Sequence, residues 1–508
     1  MPSESTGALP ELALHSELSN ALSYATNNRF QIHPDAFAML KGLDDDIMRI
    51  VQDIVKAKKN GKNFVILVED IKGLLSPSRP SEPEPGSAEA CSVLMDPTPK
   101  VTTAEGVEGY AALFRSRFEK TMKILAQRPD SKRISKVASV KSSRSGSKPQ
   151  QERGERSLTG GSTTVIAGLL MSRRTRKNGI ELAVDDYTGT LEVMAISEEV
   201  KRQAAFLALD QMVMLELESG AKGAPGQVVK SIVAPDIPDH LPGRSRSESY
   251  AVLISDMHVG SKYFMAAEFA RFLEWLSSTD DDIVRKIKFL CFGGDLVDGI
   301  GIFPNQDKEL LDMNVAGQMA RASELLSKVP RHIKMFVIPG NHDPGRRALP
   351  QPSIPVAAAA EKLYSLENCT MLGNPAFVEL NGVKVLMYHG QSLDDVIATT
   401  PGLSYSKPAE AMKVFLKARH LSPTYGERTP IAPEQEDMMV ISEVPDILHS
   451  GHVHVVDIQN YRGTLIVNSG AWQAQTKFQQ TMGIMPSPGI AVLVNLATLQ
   501  PFLQDFTR

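Results

Sequence analysis

At 508 residues the chain is too long for one compact core, so several domains are expected. Apolar residues make up 42% and charged residues 22%, and the formal net charge of -4 excludes a uniformly basic nucleic-acid binder while leaving room for local basic patches. No apolar run approaches the ~18 residues of a membrane span, and the start, MPSESTGALPELALHSEL, has neither the basic head nor the apolar core of a secretion signal. A cytoplasmic protein without membrane contact is the expectation.

Residues 1–75 read as a small helical N-terminal domain. In DDDIMRIVQDIVKAKKNG the apolar positions recur at three and four, and Asn60-Gly61 ends the run. SPSRPSEPEPGSAEA (76–90) is dominated by Pro, Ser and Glu and opens a flexible linker expected over 76–104. A connecting amphipathic helix, GYAALFRSRFEKTMKILAQR (109–128), and a basic loop fill 105–160. The loop, 128–157, carries nine Lys or Arg against three acidic residues and almost nothing apolar. A solvated segment and a phosphate-contacting one both fit it.

From 161 to 240 the period changes to two. TTVIAGLLMSRRTRKNGIELAVDDYTGTLEVMAI, QMVMLELESG and QVVKSIVAPDI read as about five short strands with turns at Asn178-Gly179 and Thr188-Gly189. That pattern suggests an OB-fold barrel, a module that binds single strands or docks proteins. Arg173, Arg174, Arg176 and Lys177 form a basic stretch at one hairpin and are candidate DNA contacts, although no dense aromatic platform accompanies them.

Residues 241–508 have a third rhythm. Apolar strand-like runs stand at 251–255, 287–292, 334–338, 383–388, 446–450 and 464–468, with helical stretches such as 266–276 and 314–329 between several of them. Such alternation indicates α/β architecture with sheets covered on both faces, whose ligands bind beyond the strand ends. Three cysteines, Cys91, Cys291 and Cys369, lie far apart with no metal or redox spacing; Cys291, inside IKFLCFGG, reads as a buried small hydrophobe.

Five polar clusters end these runs: SDMHVG (Asp256, His258), GGDLVD (Asp295, Asp298), PGNHD (Asn341, His342, Asp343), YHG (His389) and SGHVHV (His452, His454). Together they take five of the chain's 11 histidines, each near Gly. Residues two apart on a strand share a side, so Asp256 and His258 can reach one ion, and His452 and His454 can share one pocket. Carboxylates, imidazoles and an amide suit Mn²⁺, Fe²⁺ or Zn²⁺. Seven donors are too many for one ion and natural for two, bridged by an Asp.

These motifs, in this order, resemble the calcineurin-like metallophosphoesterases, a β-sandwich flanked by helices. The resemblance implies that Asp256, His258, Asp295 and His454 bind one metal and Asp295, Asn341, His389 and His452 the other. It also implies that His342 is catalytic over the scissile phosphate, oriented by Asp343. Asp298 would support the Asp295 loop. SDMHVGSKYF, GGDLVDGIGIFPNQ, PGNHDPGRRALPQP and FLKARHLSPTYG narrow the resemblance to the small subunits of archaeal DNA polymerase D, over about 105–475.

That family implies a multifunctional assembly for DNA replication. This chain would be a metal-dependent 3′–5′ DNA exonuclease that proofreads with two divalent ions, expected to be Mn²⁺. DNA-directed DNA synthesis (nucleotidyl transfer) would belong to a large catalytic subunit, the expected partner alongside single-stranded and primer–template DNA. Arg346 and Arg347, just after PGNHD, are further candidate DNA contacts, against a loop ion pair. A stand-alone metallophosphoesterase or repair nuclease, and a non-catalytic structural polymerase subunit, are the alternatives.

Overall fold

The structure, a computed structural model, describes residues 18, 21–26, 28, 30–41, 47–58, 65–68, 70–71, 90–102, 106–128, 131, 133–142, 163–219 and 227–508. The chain divides into two units, Met1–Ala88 and Glu89–Arg508. No helix among the described residues is long and apolar enough to cross a membrane.

In the first unit, helices Pro34–Lys41 and Ile47–Lys58 pack around Phe30, Leu40, Val51, Ile54, Ile66 and Ile71. Ile47, Ile50, Val51, Ile54 and Val55 recur at three and four and all are buried, the outcome of an apolar stripe on one helix face. A two-residue parallel pair, Gln31–Ile32 with Val65–Ile66, completes the described part. The expected stop at Asn60-Gly61 and the Pro-rich stretch 76–89 lie outside the described residues.

The second unit holds a closed barrel of Thr164–Arg176, Gly179–Asp185, Thr190–Ala195, Met212–Ser219 and Gln227–Val233. A helix absent from the sequence reading, Glu198–Ala205, sits between the third and fourth strands, with Ser197 accepting from the Val200 N–H as its cap. The basic segment before the barrel is less uniform than expected. Residues 143–162 lie outside the described residues, but Val137–Ser142 is a short helix whose Val137 and Val140 join the barrel core.

Two six-stranded sheets make the rest. One runs Cys369–Met371, Lys334–Val337, Ile287–Phe292, Tyr250–Ile254, Ile490–Asn495, Pro501–Asp505, its first four strands parallel. The other runs Asp457–Tyr461, Thr464–Asn468, Ile447–Ser450, Val383–Met387, Ala376–Leu380, Cys91–Met95, with a parallel centre. Leu253, Phe289, Cys291 and Phe336 of the first sheet share a core with Val378, Val385, Ile447 and Val467 of the second, so the sheets face each other. On the outer faces, Val252, Ile254, Leu290 and Phe292 pack with helices Ala266–Leu276 and Val315–Leu326, and Leu386 and Leu448 pack with Pro408–Ala418. The continuous apolar strands thus lie between a sheet and a helix layer, covered on both faces as expected, in a β-sandwich flanked by helices. Cys291 is buried and its thiol is pushed up to about 12 by burial, an inert core residue.

Cys91–Met95, inside the span expected to be a linker, is an edge strand antiparallel to Ala376–Leu380. Its side chains are mostly exposed, so it carries a weak apolar signal, and its membership comes from backbone pairing alone.

Candidate metal centre

The strands that carry the five clusters are parallel within each sheet, so the clusters converge at one end of the sandwich. The side chains do not follow strand alternation. Asp256 (φ 55°), His258 (52°), Asp295 (55°), His452 (68°) and His454 (63°) all lie in the left-handed region, a conformation that costs on the order of 1 kcal/mol or more per L-residue. Backbone hydrogen bonds hold it: Asp256 N–H donates to Gly294 O (2.9 Å), Met257 N–H to Asp295 O (2.8 Å) and Val259 N–H to Leu296 O (3.0 Å). Two of the flanking glycines are explained by close approach. A Cβ on Gly340 would stand 2.1 Å from Asp295 Oδ1, and one on Gly451 would stand 2.3 Å from Asp256 Oδ2.

Three groups of donors result, one of them His258, Asp298 and His342, and the other two hold the expected ligands. In the first of these two, His454 Nε2 lies 3.4 Å from Asp256 Oδ1 and 3.1 Å from His258 Nε2, which is itself 3.7 Å from Asp295 Oδ2. In the second, His389 Nε2 lies 2.9 Å from Asn341 Oδ1 and 3.3 Å from Asp295 Oδ2, with the His452 ring edge-on to His389 at 5.2 Å. Asp295 Oδ2 is common to both, while its Oδ1 accepts from the His342 N–H at 2.8 Å. Asp256 and His258 do meet, but His452 and His454 part into different groups, a correction to the shared pocket expected from strand alternation. The turn at Val453 and the left-handed backbone on either side point them apart.

Charge at the centre is balanced by protons. His389 stands within hydrogen-bond distance of Gly293 O (Nδ1, 2.8 Å) and Asn341 Oδ1 (Nε2, 2.9 Å), contacts that favour a positive charge on its ring. Burial works against that charge, but Asp295 overrides it and pushes His389 up to about 9. Burial likewise opposes the charge on His258, which Asp256, Asp298 and Asp295 raise well above the ordinary histidine value. Burial would raise Asp256, yet His454 and His258 hold it well below the usual carboxylate range. Asp256 Oδ1 is buried without a hydrogen-bond partner. An orphaned carboxylate oxygen, imidazoles carrying displaceable protons and a common Asp295 oxygen form a donor set that fits divalent cations.

Surrounding side chains aim these donors. Asp298 Oδ1 lies 3.1 Å from His258 Nδ1, and Gln306 and Gln473 donate to the same carboxylate at 2.9 and 3.0 Å. Gln479 Nε2 meets His454 Nδ1 at 2.8 Å while its Oε1 accepts from the Thr476 N–H. His452 Nε2 lies 3.3 Å from Asp394 Oδ2, at the start of helix Leu393–Thr399. Sequence reading assigned no role to Asp394, Gln306, Gln473 and Gln479; Gln306 closes the GGDLVDGIGIFPNQ stretch and the other three stand in no motif.

His342 faces the centre, its Nε2 4.0 Å from Asp295 Oδ2 and its Nδ1 2.8 Å from the Asp298 carbonyl. Burial lowers its pKa against the upward pull of Asp295. The expectation that Asp343 orients this ring is corrected: the Asp298 carbonyl does. Asp343 instead accepts from the N–H groups of Leu296, Val297 and Gly340 at 2.9, 3.1 and 2.9 Å, tying the Asp295 loop to PGNHD. Burial, with Asp295 nearby, pushes it up to about 7.

The basic DNA-contact candidates divide. Arg173 is a structural tie, donating to Ala205 O and Leu207 O and, at 2.6 Å, to Thr399 O across to the sandwich. Arg346 pairs with buried Glu434 at 2.6 Å and donates to Pro350 O, the loop ion pair rather than a free cation. Arg176 pairs with Glu181 at 2.8 Å on the surface. Arg174, Lys177 and Arg347 are exposed.

Two facing mixed sheets flanked by helices, with Asp, His and Asn converging beyond the ends of parallel strands, define the calcineurin-like metallophosphoesterase class of fold. The profile of the family formed by the B subunits of DNA polymerases alpha and epsilon matches residues 251–454, the span of all five clusters. The chain is 34% identical over 469 residues to the DNA polymerase II small subunit of Archaeoglobus fulgidus, covering 90% of each chain. It is 38% identical over 425 residues to that of Pyrococcus horikoshii, covering 81% of this chain and 65% of the relative, so it spans just under two thirds of that longer protein. A solved archaeal phosphodiesterase covers 50% of this chain and 98% of its own at 11% identity and a TM-score of 0.27, too slight a likeness to carry weight. The chain belongs to the family of archaeal DNA polymerase II small subunits.

Proposed function

We propose that this chain is the metal-dependent 3′–5′ DNA exonuclease of a two-part replicative polymerase, removing mismatched ends made by a large catalytic subunit. The observation that supports this most is the pair of donor groups sharing Asp295 Oδ2 in a chain of this family. Asp256, His258, Asp295 and His454 would hold one divalent ion and Asp295, Asn341, His389 and His452 the other, with Mn²⁺ the expected metal. Bound there, such ions supply positive charge to the phosphoryl oxygens and lower the pKa of the attacking water.

The chain's own groups do the rest. The His342 N–H fixes one Asp295 oxygen and leaves the other facing both groups. The Asp298 carbonyl accepts from His342 Nδ1–H, which turns Nε2 towards the reacting phosphate. Protonated at Nε2, His342 gives its proton to the departing 3′ oxygen; burial lowers its pKa and so makes it the stronger acid, with Asp295 opposing that shift. Exposed Arg347 is placed to meet the DNA backbone, and Arg174 and Lys177 offer a second basic point on the barrel. Nucleotidyl transfer is assigned to the large subunit.

The test is hydrolysis of single-stranded and 3′-mismatched DNA by the purified protein with Mn²⁺, alone and with the large subunit. Shortening from the 3′ end, lost with a chelator, is expected. Activity confined to small phosphoesters would refute the exonuclease assignment.

A further inference from the structure

Beside the centre, on the His342 side, two aromatic rings stack where water can reach them. Phe303, in the loop that follows Asp298, has its ring centroid 6.4 Å from that of His342. Phe478, in the first turn of helix Lys477–Met482, stacks on Phe303 at 5.9 Å with an interplanar angle of 28°. Offset stacking accounts for the Phe303 side of the pair. It does not account for Phe478 being 53% exposed, with Met482 one helical turn on also exposed. A large apolar group held open to water beside a polar centre marks a contact still to be made.

The pair is also held in register with the metal donors from both sides. On the Phe303 loop, Gln306 donates to Asp298, and Asp298 holds His258 Nδ1; the Ile302 N–H returns to Gln306 Oε1 at 2.9 Å. On the Phe478 helix, Thr476 and Gln479 form a capping box, and the same Gln479 reaches His454 Nδ1. Two separate segments therefore present one aromatic surface at a fixed distance from the groups that meet the phosphate.

We propose that Phe478, backed by Phe303, is a stacking platform for the terminal base of an unpaired DNA 3′ end whose scissile phosphate lies at the metal centre, an inference that rests on the exonuclease reading above. The chemistry selects this occupant. Every base has a π-face, so stacking accepts all four, as an enzyme that removes any misplaced nucleotide must. A terminal base still paired in a duplex is held by its partner and by the stack beneath it, whereas one that has lost its partner can turn onto Phe478 without breaking a pair. The platform thus favours ends that are already frayed, the state that a mismatch promotes.

The experiment uses the full chain with Mn²⁺ and single-stranded DNA whose 3′-terminal nucleotide is either natural or abasic. Wild type is expected to prefer the natural end in kcat/KM by roughly 5- to 150-fold, the worth of one stacked base. Phe478→Ala should lose most of that preference, and Phe478→Trp should keep it. A preference unchanged in Phe478→Ala would overturn the platform. If that variant instead kept the preference and lost co-purification with the large subunit, the rings would be a docking surface and the inference would fail. No DNA hydrolysis by wild type, alone or with the large subunit, would defeat the exonuclease reading and the platform with it, whereas hydrolysis with an unaltered ratio defeats the platform alone.

Discussion

Replacing Arg117 with Met tests what locks the long N-terminal helix to the rest of its unit. Arg117 and Asp437 are each 1% exposed and paired at 2.8 Å. The same guanidinium donates to Pro423 O at 2.6 Å and to Asp210 O at 3.4 Å, so helix Gly106–Leu125, the barrel side and the sandwich meet at one cation. Met keeps much of the length and removes the charge, leaving Asp437 buried and uncompensated, a loss of ~3–5 kcal/mol. For a unit spanning Glu89–Arg508 that melts as one, the unfolding entropy is roughly 0.9 kcal/mol per kelvin, so the Tm should fall by about 3–6 °C. The loss should also depend on pH, through His420, whose Nε2 lies 3.0 Å from the same Asp437 oxygen. In the native chain burial and Arg117 push His420 down to about 4 against the pull of Asp437. A histidine with a folded pKa below its unfolded value of ~6.5 binds protons more readily when unfolded, so native stability falls as pH drops from about 6.5 towards about 4. Without Arg117 one downward push is gone and the pull of Asp437 stays, so His420 titrates higher and this loss shrinks. The gap between native and variant Tm should therefore narrow between about pH 8 and about pH 5. Differential scanning calorimetry across pH decides it. A Tm drop below about 1 °C, or a gap that ignores pH, would refute the reasoning.

His342→Ala should cut DNA cleavage by ~10²–10⁴ while both metals stay bound, whereas Asp295→Ala should lose metal and activity together. Elemental analysis paired with exonuclease rates separates the two, and equal metal loss would make His342 a ligand. Asp298→Asn should weaken Mn²⁺ binding by about 10- to 100-fold, since Asp298 faces His258 Nδ1 at 3.1 Å, a change that titration calorimetry reads directly. Deleting residues 1–75 should leave hydrolysis of a short DNA nearly unchanged, because every candidate metal donor lies in Glu89–Arg508; a collapse in rate with circular dichroism intact would show that the first unit serves the site.

How far the sequence could be read depends on where each residue's signal comes from. Ala251 and Leu253 face the second sheet while Val252 and Ile254 face helices, so both sides are apolar and the strand announces itself locally. The edge strand Cys91–Met95 has no such signal: four of its five residues are exposed, and Val93 is placed by pairing with Val378, far along the chain. The centre divides in the same way. Its donors are chemically distinctive and end apolar runs, so their types and positions were legible as a metal site. Their directions were not, because alternation governs extended backbone and five of these residues are left-handed, which is why His452 and His454 part company. The groups that aim the donors left the least trace. Gln306, Gln473 and Gln479 are ordinary polar residues at no special spacing, and each reaches the centre only after a loop or helix has folded back onto it. Phe478 shows the same dependence, since an aromatic beside Lys477 gains its meaning only when the chain brings it over Phe303. Local chemistry therefore identifies what a site can bind, while long-range packing decides which donor serves which ion and which surface meets the substrate.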